Sequence, residues 1–363
     1  MPIRTIEPQA QVLPKTSTIT RNSALELLRI ISMILIIMHH YSVHGFGYDG
    51  ANLTLNDFIV QVLSFGGKFG VNCFILITGY FMISSKFKIK KLVKIIFEVF
   101  TYSIVIFLVF CLIDKSNFSV KNLMQSLFPI IFTKYWFATT YVLLYIFSPY
   151  INMLVKTLDK KKHGILILTL VLIFSIIPTF ATISGSPGFS NLAWFVTLYL
   201  IGGYIKLYPI NAMKNVKKNA LYTIIIFLLI VLSVIFIDIL AKTKVSFASE
   251  ETYFMDMNKV PMLLCSITMF LTFSNLNIKN NKVINGLALT MFGVYLIHDN
   301  PLVRHALWID IFKNMEYINS RFLLIHATVA VLSVFVVCVA IDYIRITILE
   351  KPLFKLIDKK EKN

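Results

Sequence analysis

Long apolar segments recur along this chain, and each is long enough to cross a bilayer as a helix, which takes about 20 mostly apolar residues. Of the 363 residues, 57% are hydrophobic, and the mean hydropathy is +0.76. Soluble domains contain roughly 45–50% apolar residues. The sequence therefore predicts an all-α polytopic membrane protein with about ten transmembrane helices. The predicted segments are 24–43, 58–82, 92–113, 136–155, 164–181, 191–207, 219–240, 260–276, 283–300 and 321–344.

The formal net charge of +17 would suit a nucleic-acid-binding protein, but the positions of the charges argue against one. An even number of spans puts both termini on one side of the membrane. The loops and termini assigned to that side hold 24 Lys and Arg, whereas the opposite loops hold 9. Cytoplasmic loops carry the excess of Lys and Arg in membrane proteins. We therefore expect cytoplasmic termini and no nucleic-acid partner.

The predicted domain organisation has three parts. Residues 1–20 are polar and contain three prolines, so we expect a disordered lead. Residues 21–345 form the ten-helix membrane domain, and residues 346–363 form a basic cytoplasmic tail. Abundant Phe, Ile, Lys and Asn fit an AT-rich genome, so the expected location is a bacterial plasma membrane, with membrane lipids as partners. Nothing in the sequence specifies an oligomeric state.

No metal and no bound cofactor are predicted. The four cysteines lie within apolar segments and share no metal-ligand spacing, so they are interpreted as small buried hydrophobic residues. They are Cys73, Cys111, Cys265 and Cys338. The sequence also contains no Gly-x-Ser-x-Gly motif, no phosphate-binding glycine loop and no histidine-rich metal motif.

The first predicted helix, within residues 21–44, carries charged groups in a segment otherwise suited to lipid. A charge at bilayer depth costs roughly 2.5–3.5 kcal/mol on insertion scales, so Arg29 is a functional hypothesis by default. His40 falls on the same helix face as Arg29, about 16.5 Å further along the axis. Glu26 precedes Arg29 by one turn and can pair with it. The alternative is an Arg that reaches the interface and a His packed in the core.

Three motifs resemble the membrane-bound acyltransferase-3 family, whose members O-acylate cell-surface polysaccharides. The first is Arg29, ten intervening residues and His40, with the acidic Glu26 before the Arg. The second is the glycine-rich second helix, where the segment 74–80, FILITGY, is similar to the family's Phe-x-Leu-Ser-Gly-Phe. The third is YLIH at 295–298, which is similar to a recurring Tyr-Leu-x-His of the family. Together they extend in order from the first helix to the ninth.

The glycine-rich segment of the second helix leaves two interpretations open. Gly66, Gly67 and Gly70 surround Lys68, and glycine allows unusual backbone angles and close approach. One interpretation is a kinked wall of a substrate cavity, since irregular backbone at membrane depth needs protein or a wet cavity around it. The other is tight helix packing through small residues. Gly70 and Asn72 are candidate binding residues here.

Further candidate binding residues lie near other helix ends. Trp136 opens the fourth helix where the family shows Trp-Phe pairs, although an aromatic belt at the interface also explains it. Lys86 and Lys91 belong to a lysine cluster that could attract the phosphates of coenzyme A, although topology and anionic lipids explain the cluster as well. Asp238 and Asp342 are interpreted as interfacial.

The resemblance implies an acyltransferase that uses a cytoplasmic acyl-CoA donor, most simply acetyl-CoA, and a hydroxyl acceptor on a surface glycan or lipid-linked glycan. It implies that His40 is catalytic, and a neutral His suits a general base because its reference pKa lies near working pH. Arg29 could bind the donor or orient the site through Glu26. Tyr295 and His298 are expected near the site from the outer side.

The alternative function is a polysaccharide or lipid exporter that lines its path with the same polar helix. An exporter should show charged residues over several spans or two repeated halves. Here the polar groups concentrate in the first helix and near the ninth, which favours the enzyme.

Overall fold

The computed structural model describes residues 21–46, 54–180, 190–243 and 250–360, and these residues form helices and no strand. The all-α fold is thereby confirmed. The predicted disordered lead, residues 1–20, lies outside the described residues. The helices are α1 (Ser23–Gly45), α2 (Leu55–Leu63), α3 (Phe65–Met82), α4 (Ile89–Ile113), α5 (Val120–Leu127), α6 (Trp136–Thr157), α7 (Lys160–Val171), α8 (Ile177–Phe180), α9 (Asn191–Leu207), α10 (Val216–Ala241), α11 (Val260–Ser274), α12 (Lys282–Leu287), α13 (Met291–His298), α14 (Pro301–His305), α15 (Leu323–Arg345) and α16 (Lys351–Lys360).

Ten helical segments coincide with the ten predicted spans, and the protein is a polytopic membrane protein. Within the described residues, eight are long and apolar enough to cross a membrane: Ser23–Gly45, Leu55–Met82, Ile89–Ile113, Trp136–Thr157, Lys160–Phe180, Val216–Ala241, Tyr253–Ser274 and Leu323–Asp358. The other two, Asn191–Leu207 and Lys282–His298, are apolar but shorter. Short spans need partners inside the protein, since lipid cannot satisfy the backbone at their ends.

Helix α1 lies inside the bundle, in contact with α3, α11, α13 and α15. Its first turn is capped by Asn22, whose side chain accepts hydrogen bonds from the amides of Ala24 and Leu25, as is typical of an N-cap. At this end the Ser23 hydroxyl donates to the Asn285 side chain and accepts from the amide of Asn281. We call this end of the bundle, with Ser23 and the start of α12, the basic end.

The glycines of α3 bring its backbone against α1. A Cβ atom on Gly66 would lie 2.2 Å from the carbonyl oxygen of Leu35, and one on Gly70 would lie 2.7 Å from that of Ser32. Any side chain would therefore push the helices apart. The structure shows tight packing at these positions, and the break in the second span falls earlier, at Ser64 between α2 and α3.

A buried charge cluster joins α4 to the end of α15. The guanidinium of Arg345 donates to Asp342 at 2.7 Å, to Glu350 at 2.9 Å and to Glu98 at 2.9 Å. The Tyr102 hydroxyl donates to the same Asp342 oxygen at 2.6 Å. Asp342 is fully buried. Asp238 is also buried and accepts from the Gln61 amide. Both lie near helix ends, and their interfacial interpretation stays a prediction.

The predicted tail begins as a continuation of α15. A wider helical turn, Ile346–Glu350, connects α15 to α16 without a break. Lys90 pairs with Asp358, and Lys94 pairs with Glu350. Two lysines of the cluster after the second span are thus neutralised by acids of the C-terminal helix.

Replacing Arg345 by Ala is expected to lower the free energy of unfolding by about 3–5 kcal/mol, because three buried carboxylates would lose their shared cation. Denaturant unfolding of the purified protein in detergent measures this. Lys162→Ala is the control, since Lys162 and Asp159 form an exposed pair 3.9 Å apart and exposed pairs contribute little. Equal stabilities for the two variants would contradict a structural role for the cluster.

Candidate active site

Two histidines from distant parts of the chain meet inside the bundle. Nδ1 of His40, in α1, lies 2.9 Å from Nε2 of His298, at the end of α13. Nδ1 of His298 lies 2.6 Å from the carbonyl oxygen of Val294, one turn earlier in α13. Both side chains are buried. The two predicted histidines are therefore direct partners, although 258 residues separate them in sequence.

The hydrogen bonds of the pair fix its tautomers. A carbonyl oxygen only accepts, so His298 must donate to Val294 from Nδ1 and, when neutral, keeps a lone pair on Nε2. His40 then donates to that lone pair from its own Nδ1. Nε2 of neutral His40 is left with a free lone pair. This is the arrangement of a general base whose orientation is set by a third group.

An aspartate and an arginine complete the cluster on the other side of His40. Oδ1 of Asp299 lies 3.4 Å from Nε2 of His40 and 3.9 Å from Nε2 of His44. Arg304 donates from Nε to the same oxygen at 2.8 Å and to the Asp299 carbonyl at 2.9 Å. Tyr295 lies beside the carboxylate, although its hydroxyl does not reach hydrogen-bond geometry. A proton taken by His40 would therefore be stabilised by an adjacent carboxylate.

A small pocket of about 50 Å³ lies against the pair. Its polar lining consists of His39, His40, Lys68 and Tyr295, and its remaining walls are apolar or aromatic, among them Trp136. His39 is held by a hydrogen bond from Nδ1 to the carbonyl of Ser64, 2.6 Å away, at the break between α2 and α3. The ammonium of Lys68 lies over the ring of Trp136, 5.6 Å from its centroid.

Arg29 lies outside this pocket, although it shares the His40 face of α1. The pocket begins one helical turn above it, at Met33. Nε of Arg29 is 3.3 Å from the Glu26 carboxylate, as the spacing predicted, and its side chain is 21% exposed. The pair therefore lies between the basic end and the pocket, and its predicted role toward a donor stays a prediction.

The remaining candidates do not line the pocket. Gly70 packs against α1. Asn72 is buried, donating to the Met257 carbonyl and accepting from the indole of Trp194, so it joins α3 to α9. Lys86 is exposed, and Lys91 lies over the Tyr145 ring, 5.3 Å from its centroid. The structure gives Gly70 and Asn72 packing roles, and the predicted binding roles of all four residues stay predictions.

Two residues of the cluster were missed by the sequence interpretation. Asp299 follows His298 directly, and Arg304 lies five residues further, after the cap that Asn300 makes for α14. The available signal was an acidic residue next to a candidate histidine, followed by a cation near a predicted span. It was weak, because only folding brings both residues to His40.

Part of this cluster could also be interpreted as a metal-binding site. Ligand atoms of His40, His44 and Asp299 all lie within 4.8 Å of one another. However, the Arg304 guanidinium already donates to the Asp299 oxygen that faces both imidazoles. A cation there would be repelled by Arg304 and would take the free lone pair of His40. We therefore interpret the cluster as an acid–base site.

Fold and site together define a polytopic membrane protein with a buried pair of histidines beside a small pocket. The sequence profile of the acyltransferase-3 family, described as an acyltransferase domain, matches residues 22–343. The chain belongs to this family, and it is an acyltransferase. Searches of curated proteins and of solved structures found no match.

Replacing His298 by Phe is expected to lower kcat for acyl transfer about 100-fold, because His40 loses the partner that fixes its tautomer and orientation. Steady-state kinetics of the purified enzyme measure this. His305→Phe is the control, since that histidine is exposed and pairs with Asp310. Wild-type kcat in His298→Phe would mean that His40 needs no orienting partner.

Proposed function

We propose that this protein transfers an acetyl group from cytoplasmic acetyl-CoA to a hydroxyl of a cell-surface polysaccharide or lipid-linked glycan in a bacterial plasma membrane. The observation that carries the proposal is the His40–His298 pair beside a small pocket, within a chain of the acyltransferase-3 family. No bound cofactor is needed, because acetyl-CoA is a substrate.

His40 acts as the general base. Its Nε2 takes the proton of the acceptor hydroxyl as the oxygen attacks the thioester carbonyl. The imidazolium that forms is stabilised by Asp299, 3.4 Å away, and by His298, 2.9 Å away. When the tetrahedral intermediate collapses, the proton passes from His40 to the departing sulfur, giving free thiol and ester. Positioned acid–base catalysis of this kind typically increases the reaction rate by about 10²–10⁴-fold.

The arrangement supports a reaction across the membrane. The excess of Lys and Arg supports a cytoplasmic basic end and cytoplasmic termini. His40 lies about 25 Å from Ser23 along α1, at 1.5 Å per residue, so it is placed toward the outer side. The donor would reach the pocket from the cytoplasm past Arg29 and Glu26, and the acceptor would reach His40 from outside.

The pocket volume supports a short acyl group. A cavity needs about 10–15 Å³ on this measure to hold one water molecule, so a pocket of about 50 Å³ has room for a few water-sized groups, which suits an acetyl group. Met33, Val71 and Phe74 form part of the apolar wall, which suits the methyl end of such a group.

His40→Ala is expected to abolish acetylation of the acceptor while the protein still folds. The measurement is NMR of purified surface glycan from cells that carry either form, with thermal unfolding of the purified variant as the folding control. Loss of the glycan itself, beyond its acetyl groups, would favour export over acyl transfer. Normal acetylation in folded His40→Ala would remove His40 from the mechanism.

The acyl-length preference is expected to respond to Val71. A methylene in an apolar pocket is worth about 10–200-fold in specificity, so wild-type enzyme should prefer acetyl-CoA to butyryl-CoA by at least about 100-fold. Val71→Ala enlarges the pocket and should lower the preference for acetyl-CoA over butyryl-CoA by at least about tenfold, which is the effect of about one methylene group. Competition kinetics with both donors measure this. Val99→Ala is the control, a buried valine outside the pocket; an equal shift there would contradict the assignment.

A further inference from the structure

We infer that Lys68 binds the negative charge that forms on the thioester carbonyl oxygen during acyl transfer. The inference deepens the proposed function and rests on it. It starts from the position of Lys68 near the middle of the span Leu55–Met82. A lysine at such a depth is costly unless it is paired or functional.

Lys68 is half-buried and has no acidic or hydrogen-bonding partner among the described residues. The other enclosed cations do have such partners. Arg29 pairs with Glu26, and Arg345 donates to three carboxylates. Lys259 donates to the Pro178 carbonyl. Within the described residues, no carboxylate lies within ion-pair distance of Lys68. Its ammonium lies over the Trp136 ring, which attracts the ammonium but does not neutralise its charge.

Lys68 is part of the pocket wall. Lys68 lines the same pocket as His40 and His39, and of the residues that line it Lys68 alone carries a permanent charge. It also interacts electrostatically with His39. The ammonium has three donors and no acceptor, so the pocket presents a cation that only an anion can satisfy.

The close approach of α3 to α1 fixes this cation relative to His40. A Cβ on Gly67, the residue before Lys68, would lie 2.3 Å from the ring of His39. No side chain other than that of glycine fits there without moving the imidazole. Lys68 is therefore carried on backbone that lies against α1, and Trp136 directs its side chain. A preorganised charge of this kind costs no reorganisation during the reaction.

The reaction supplies the anion that the pocket lacks. When the acceptor oxygen bonds to the carbonyl carbon, the π electron pair moves to the carbonyl oxygen and the hydroxyl proton moves to His40. The resulting oxyanion is bound by the Lys68 ammonium. When the C=O bond re-forms, the C–S bond breaks, its electron pair leaves with sulfur, and His40 returns the proton to give the thiol. Lys68 exchanges no proton and remains charged throughout.

The test is Lys68→Met in the purified full-length enzyme, with acetyl-CoA, a hydroxyl acceptor and release of free thiol as the readout. Removing one oxyanion donor costs about 10²–10³ in kcat, so we expect that loss with little change in KM for the donor. Lys68→Arg should retain part of the lost rate because it keeps the charge. Added ethylammonium should partly restore Lys68→Ala, whose shortened side chain leaves room for it.

The matched control is Lys206→Met. Lys206 also lies over an aromatic ring, that of Tyr80, 4.7 Å from its centroid, but outside the pocket. It should keep wild-type kcat. Equal losses in both methionine variants would overturn the inference, and so would an effect confined to KM, which would indicate a ground-state anion such as a coenzyme A phosphate. If Lys68→Met does not fold, the inference is tested by the activity of Lys68→Arg and by ethylammonium rescue of Lys68→Ala; no retained activity and no rescue would overturn it.

Wild type and His40→Ala in the same assay separate this inference from the proposed function. Absence of acetyl transfer by the wild type would contradict the proposed function and, with it, the role of Lys68. An active wild type, an inactive His40→Ala and a fully active Lys68→Met would leave the proposed function intact and overturn the role of Lys68 alone.

Discussion

A polar group at bilayer depth is stable only when the protein supplies its partner, because the surrounding hydrocarbon cannot. The bundle satisfies this constraint at three places. At the basic end, Ser23 bonds to the start of α12. At the end of α15, Arg345 donates to carboxylates of α4, of α15 and of the turn that follows. Inside the bundle, His40 meets His298. Each connection ties α1 or α4 to the last helices of the chain.

The same connections position the His40–His298 pair. A Cβ on Gly293, in α13, would lie 2.1 Å from an oxygen of Asp342, so α13 packs directly against the charge cluster of α15. His298 follows five residues later in the same helix. The charge cluster thus packs against the helix that carries His298, while α3 contributes Lys68 to the lining of the pocket. Catalytic groups placed on packed helices hold their geometry better than groups placed on loops.

Lys68 illustrates how the site can tolerate an uncompensated charge. Its neighbours are an aromatic ring and the wall of a pocket, and the ammonium stays available to a ligand. Arg29 and Arg345 are neutralised by carboxylates, whereas Lys259 donates to the Pro178 carbonyl. Among these four cations, Lys68 is the one that lines the pocket beside His40.

The sequence by itself determined the all-α class, the positions of the apolar helices and the family, because apolar length and the Arg29-to-His40 spacing are properties of consecutive residues. It also determined that Glu26 would reach Arg29, since one helical turn separates them. It could not determine that His298 and Asp299 contact His40, that Asp342 is buried, or that Lys68 has no acidic partner among the described residues. Those facts depend on which helices pack together, and contacts between residues more than 200 positions apart leave no periodic signal in the chain. Only the tertiary structure decided them, because the partner of a polar side chain in a membrane bundle is set by helix packing.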